Sequence, residues 1–130
     1  MKYSRQRELI LNYVQLSDEH PTADMVYLNI RKELSNISLG TVYRNLNKLC
    51  EVNLIKKITM PNNSDRFDKT VTNHCHMYCN NCNMVYDIFA SVLDNLNNVI
   101  EKETGNKVKS HEIVLTGICK DCSEKLERKI

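Results

Sequence analysis

Apolar residues recur at three- and four-residue steps through Leu9, Ile10, Tyr13, Val14 and Leu16, and with Ser4 as N-cap they predict a helix of about three turns. The pattern resumes after Asp18-Glu19-His20-Pro21, where Thr22 is the next N-cap and Asp24 suits the positive end of the dipole. Met25, Val26, Ile30 and Leu34 then form one stripe, predicting a second helix that ends near Ser35-Asn36. Ser38 caps a third helix with Val42, Leu46 and Leu49 inward, leaving Thr41, Tyr43, Arg44, Asn47 and Lys48 on the other face.

Asn53 tolerates the left-handed conformation of a helix end, and Leu54 to Met60 is rich enough in β-branched residues to be a strand. The turn cluster Pro61-Asn62-Asn63-Ser64-Asp65 leads to a short return strand, Arg66-Phe67-Asp68. Three helices and a hairpin outline a winged helix. After Thr70 two strands, Cys75 to Tyr78 and Met84 to Asp87, flank Asn80-Asn81, and Asn83 can supply a left-handed turn after the second thiol. A helix through Val92, Leu93, Leu96, Val99 and Ile100 stops at Gly105-Asn106. It is followed by a strand from Lys107 to Cys119 and a short helix from Ser123 to Lys129. The whole reads as an α+β chain, with residues 1–70 forming a winged helix-turn-helix domain and residues 71–130 a second, small α/β domain. That second half has few apolar residues, and a partner surface, hence a homodimer, is the expectation.

Composition changes this picture in three ways. With 42% hydrophobic and 26% charged residues, wholesale disorder is excluded. Apolar runs such as Leu9-Ile10-Leu11 fall far short of the roughly 20 residues that span a bilayer, and no signal peptide is visible, so a cytoplasmic protein without membrane association is expected. The net charge is only +2, but residues 1–70 hold 11 basic against 8 acidic side chains and residues 71–130 hold 7 against 8. Any footprint for an anionic partner therefore lies in the first half.

Six cysteines in a chain without an export signal point to metal or redox chemistry rather than disulfides. Four form the pairs Cys79/Cys82 and Cys119/Cys122, and two matched Cys-x-x-Cys pairs suit a closed, structural, tetrahedral zinc site. The alternatives are thioredoxin-like dithiols and unligated core cysteines. His74 and His76 lie two apart, on one side of a strand. With Asp68 and Asp87 they offer nitrogen and oxygen donors suited to Fe(II), Mn(II) or Zn(II), although such residues are also common as solvated strand positions. His20, before Pro21, reads by itself as an ordinary loop residue. The polar face of the third helix is compatible with plain solvated surface. Its place in a helix-turn-helix, with Lys56 and Lys57 on the hairpin, points instead to double-stranded DNA: Arg44 and Lys48 for phosphates or guanine edges, Tyr43 for thymine methyls.

Several segments in order, His20-Pro21-Thr22-Ala23-Asp24, Gly40-Thr41-Val42-Tyr43-Arg44-Asn45-Leu46, Arg66-Phe67-Asp68, His74-Cys75-His76 with Cys79-Asn80-Asn81-Cys82, and Cys119-Lys120-Asp121-Cys122, resemble the ferric uptake regulator family of metal-dependent bacterial repressors. The resemblance covers nearly the whole chain. It implies an N-terminal winged helix, a hinge near residues 69–73 and a C-terminal dimerisation domain holding structural Zn(II) on Cys79, Cys82, Cys119 and Cys122. It also implies a regulatory Fe(II) or Mn(II) site on His20, Asp68, His74, His76 and Asp87, and operator contacts from Ser38, Thr41, Tyr43, Arg44 and Lys48. Iron-responsive members resemble one another in carrying Glu at position 68 and peroxide-sensing repressors in carrying Asp. The resemblance therefore implies a peroxide sensor, not an enzyme, in which an iron-bound His20 or His74 is oxidised and operator DNA is released, while Mn(II) supports DNA binding but reacts poorly with peroxide. The alternative within the family is an iron- or zinc-responsive repressor controlling metal uptake. Outside it, a thiol-disulfide enzyme and a zinc-stabilised interaction module remain. Most members carry an extra helix before the segment that begins here at Tyr3. Cys75 is unusual for the subtype, and of a further family metal site only Asp94 and His111 remain, with Asn73 and Cys75 at the other positions.

Overall fold

The structure is a computed structural model that describes residues 4–61, 64–72 and 74–128. Tyr3, the turn residues Asn62 and Asn63, Asn73 and Lys129, all named above, lie outside the described residues. The chain divides into two compact units, Met1–Thr72 and Asn73–Ile130.

The first unit contains α1 (Arg5–Leu16), α2 (Ala23–Ile30), α3 (Leu39–Glu51), β1 (Lys56–Ile58) and β2 (Arg66–Asp68). Each helix starts where a hydroxyl side chain can satisfy an orphan backbone donor: Ser4 accepts from Arg7 N, Thr22 from Met25 N and Ser38 from Thr41 N. The three helices and β2 share one core, with Ile10, Val14, Val26, Val42, Leu46 and Phe67 at most 1% exposed. Leu16, in contrast, is 83% exposed and contributes nothing to it.

Helix α2 ends at Ile30, four residues short of Leu34. The backbone tightens there, with Lys32 N donating to Asn29 O and Glu33 N to Ile30 O, so Leu34 reaches the core from a turn and Ile37 is buried beyond it. The strand expected over Leu54 to Met60 pairs only through Lys56–Ile58, opposite Asp68, Phe67 and Arg66. Its flanking apolar residues, Ile55 and Met60, are buried without being in the ladder. Asn53 adopts φ 60°, as its place after α3 requires.

The second unit is a three-stranded sheet of order β4-β3-β5, built from β3 (Cys75–Cys79), β4 (Val85–Ile88) and β5 (Val114–Gly117). Strand β4 is antiparallel to β3 through the knuckle at residues 80–84, whereas β5 runs parallel to β3. A parallel neighbour needs a crossover, supplied by α4 (Ser91–Asp94) and α5 (Leu96–Thr104). These are two helices rather than the one continuous helix expected, the break falling at Asn95 (φ −109°, ψ 7°), and Gly105 ends α5 at φ 76°.

Strand β5 is far shorter than the expected Lys107 to Cys119, because only four residues find a partner along β3. The last helix, α6 (Lys120–Arg128), begins three residues earlier than Ser123 and so takes Cys122 into its first turn. No helix among the described residues is long and apolar enough to cross a membrane.

Candidate metal centres

The parallel register of β3 and β5 sets Cys79 opposite Gly117, two residues before Cys119. Asn80 N donates to Gly117 O at 2.7 Å, holding the knuckle against the end of β5. At the knuckle, Asn83 takes φ 64° and its N–H returns to Cys79 O, the turn that brings Cys82 back beside Cys79. On the other side, Cys119 stands just before α6, and its sulfur accepts from Cys122 N at 3.5 Å, as a serine hydroxyl would at an N-cap. The four sulfurs all lie within 4.8 Å of one another.

Backbone donors aim at these sulfurs. Cys79 Sγ accepts from Cys119 N (3.3 Å) and Cys82 N (3.4 Å), and these two N–H groups hold its thiol down at about 6. The Tyr86 hydroxyl, 3.5 Å from Cys119 Sγ, lowers that thiol as well, helped by Cys122 N–H, and the same contact pushes the Tyr86 hydroxyl up. Cys122 goes the other way. The Asn81 side chain favours its thiolate, but Cys119, burial, Cys82 and Cys79 together outweigh it and push the thiol up to about 11. Such a cluster cannot ionise fully by itself, and a divalent cation relieves that conflict. A tetrahedral zinc with bonds of about 2.3 Å separates its sulfurs by about 3.8 Å, and Cys82 and Cys119 are 3.9 Å apart. The donor set and its spacing fit zinc. All six cysteines are free thiols.

The residues expected to hold a regulatory ion form two sets, one in each unit. In the first, Phe67 N donates to Pro21 O at 2.9 Å and Thr22 bridges to Arg66, which lays the segment before α2 along β2. Arg66, buried in spite of its charge, donates from Nη1 to His20 O. Lys69 Nζ also holds Asp18 at 2.7 Å. Between these ties His20 is held at φ 52°, a conformation rare for a residue with a side chain. Its Nε2 lies 3.5 Å from Asp68 Oδ2, and both residues are buried. Asp68 Oδ1 accepts from Thr70 N at 2.9 Å, which fixes the carboxylate.

In the second unit, His76 and Asp87 are direct cross-strand partners on β3 and β4. Asp87 Oδ1 lies 2.8 Å from His74 Nε2 and 3.4 Å from His76 Nε2, and the two imidazole centroids are 4.4 Å apart. Both histidine side chains are almost wholly buried while Asp87 is 31% exposed, and His74 stacks on Phe89 at 5.3 Å. Imidazoles converging on a carboxylate are a donor set for a borderline divalent cation such as Fe(II) or Mn(II). Cys75 is also buried; it lines a cavity of about 310 Å³ with Asp94, His111 and Asn97, where His111 Nδ1 and Asn97 Oδ1 are 2.7 Å apart.

The polar face of α3 is ordered by its own contacts. Thr41 Oγ1 lies 2.9 Å from Ser38 Oγ and accepts from Arg44 Nη2 at 3.0 Å; Lys48 pairs with Glu51 at 3.6 Å, and Tyr43 is 42% exposed. Sequence reasoning missed Asn45, which is buried on this helix. Its Nδ2 donates to Thr41 O, and its Oδ1 accepts from Arg7 Nε at 3.1 Å, joining α1 to α3. A polar residue amid Val42, Leu46 and Leu49 was the available signal. Tyr86 was missed too, because its alternation on β4 reads as an ordinary strand aromatic.

Comparison with known proteins gives a consistent result. Residues 1–116 match the model of the ferric uptake regulator family. The peroxide operon regulator of Bacillus subtilis is 36% identical over 125 residues, covering 96% of this chain and 86% of that protein. Among solved structures, the Campylobacter jejuni peroxide stress regulator is 33% identical with a TM-score of 0.72, covering 90% of this chain and 88% of that one. The Helicobacter pylori ferric uptake regulator, whose structure is described as having three functional metal-binding sites, is 27% identical with a TM-score of 0.84, covering 95% and 83%.

Proposed function

This chain belongs to the ferric uptake regulator family, and we propose that it is a metal-dependent transcriptional repressor that senses hydrogen peroxide and then releases operator DNA. The observation that carries the peroxide reading is Asp68, buried beside His20 where iron-responsive members have Glu, in a chain whose relatives include a peroxide operon regulator and a peroxide stress regulator. Cys79, Cys82, Cys119 and Cys122 hold structural Zn(II). His20 and Asp68 from the first unit, with His74, His76 and Asp87 from the second, hold the regulatory Fe(II) or Mn(II).

An ion drawing ligands from both units favours the DNA-competent arrangement only by its differential affinity for it. Reversing a 1:99 population takes about 5.5 kcal/mol of such preference. When Fe(II) is bound it supplies the reduction of peroxide that generates an oxidant beside the imidazoles. His20 and His74 are the targets: oxidation of either ring weakens a nitrogen donor, and the preference for the DNA-competent form falls with it. The chain acts as a homodimer, consistent with the exposure of Val99, Ile100, Leu115, Ile118 and Leu126 in the second unit. Two copies of α3 then present Ser38, Thr41, Tyr43, Arg44 and Lys48 to successive major grooves of a two-fold operator.

The test is to load the protein anaerobically with Fe(II), add about one equivalent of peroxide per chain, and map added oxygen by peptide mass spectrometry. Oxygen on His20 or His74 with zinc retained is the expected result, with none when Mn(II) replaces Fe(II). Intact histidines would move the assignment to an iron- or zinc-responsive repressor.

A further inference from the structure

We propose that the Tyr86 hydroxyl protects the four-cysteine site from the oxidant that the histidines sense, by hydrogen-bonding Cys119 Sγ beside the exposed Cys82; this rests on reading that site as zinc-bound and the protein as peroxide-responsive. Tyr86 lies on β4 opposite Met77 of β3, and its ring packs against the buried cluster of Cys79, Cys119 and Cys122. Its hydroxyl reaches between the two Cys-x-x-Cys pairs, 3.5 Å from Cys119 Sγ and 3.9 Å from Cys82 Sγ. Of the four cysteines, Cys82 is the exposed one.

The chemistry to be resisted is direct. A thiolate lone pair forms an S–O bond to one peroxide oxygen, which keeps its hydrogen, as the O–O bond breaks; sulfur loses two electrons and peroxide gains them, giving a sulfenic acid directly while the leaving hydroxide takes a proton from solvent to become water. A hydrogen bond donated to sulfur withdraws charge from that same lone pair, so the hydroxyl's one proton, given to Cys119 while its oxygen stands 3.9 Å from Cys82, slows the attack while leaving the thiolates in place as ligands. Phenylalanine would fill the same space, and the hydroxyl is what adds the sulfur contacts. A repressor that reports peroxide by oxidising a histidine has to keep its scaffold intact at the dose that trips the sensor, and Tyr86 separates the two susceptibilities.

The experiment compares the full-length protein with Tyr86→Phe. Zinc content is measured first by plasma mass spectrometry, and about one zinc per chain is expected in both. A zinc-free wild-type protein would remove the reading beneath the proposal. With Mn(II) in place of Fe(II), peroxide is then added in excess and zinc release is followed with a chromogenic chelator. Tyr86→Phe should release zinc about fivefold faster, the scale of one ordinary hydrogen bond, with Cys82 and Cys119 the first thiols oxidised by mass spectrometry. Equal rates would overturn the proposal. So would a rise in peroxide-driven release matched by an equal rise with chelator alone, because that marks lost packing rather than lost protection.

Discussion

At the scale of single residues, the carboxylate at position 68 carries more than charge. Asp68 is nearly inaccessible, fixed by Thr70 N and set against His20, so on the proposed reading Asp68→Ala removes a regulatory ligand from the first unit while the zinc cysteines lie in the second. Mn(II)-dependent binding to an operator duplex, read by fluorescence anisotropy, should be lost, and zinc content should stay at wild-type level. For His20 the informative variant is His20→Asn, because asparagine accepts the left-handed backbone at φ 52° whereas alanine adds strain of about 1–2 kcal/mol to the loss of the imidazole. Asn45 makes a different prediction. Asn45→Ala strands the guanidinium contact of Arg7 and leaves a small cavity in the α3 core, and a loss of about 1–3 kcal/mol in urea unfolding is expected.

Among the elements, the starts of α1, α2 and α3 were legible because each rests on one local hydrogen bond, whereas α6 began before its expected Ser123. Ser4, Thr22 and Ser38 all cap as their sequence positions imply, and Asn53 and Asn83 take the left-handed turns that suit them. Thr22→Ala should cost about 1 kcal/mol in thermal unfolding, because it removes the side-chain cap on Met25 N. The ends of elements were less legible. Leu34 continues the α2 stripe in sequence, yet it reaches the same core from a turn, and periodicity cannot distinguish the two. The apolar run from Ile113 to Ile118 does not reveal that only Val114–Gly117 has a neighbour, because pairing depends on β3, which lies far away in sequence. The clustering of the four cysteines was plain from spacing. Their second layer was not, since the contact of Tyr86 with Cys119 depends on strand register.

For the whole molecule, metal removal should divide the chain in two. The core of the first unit is built from side chains alone, whereas in the second Cys79, Cys119 and Cys122 form a buried cluster that zinc completes. Stripping zinc should therefore melt the second unit and leave most of the helical circular dichroism of the first. Protons compete with zinc for the same sulfurs. Cys122, with its thiol at about 11, must lose a proton on binding near neutral pH, while Cys79, at about 6, is already largely ionised. Fewer than four protons should be released per zinc at about pH 7.5, measured by calorimetry in buffers of different ionisation enthalpy. Zinc affinity should fall as pH is lowered, and more steeply below about 6, where Cys79 is protonated as well and each zinc must displace one more proton.

The parallel pairing of β3 with β5 also has a consequence for protein synthesis. Residues through Thr72 can collapse onto their own core while Gly117, Cys119 and Cys122 have still to be translated, and Cys79 and Cys82 lack the other two corners of their site until they arrive. Each new polypeptide therefore passes through an interval in which its first unit can fold while its metal scaffold is still open.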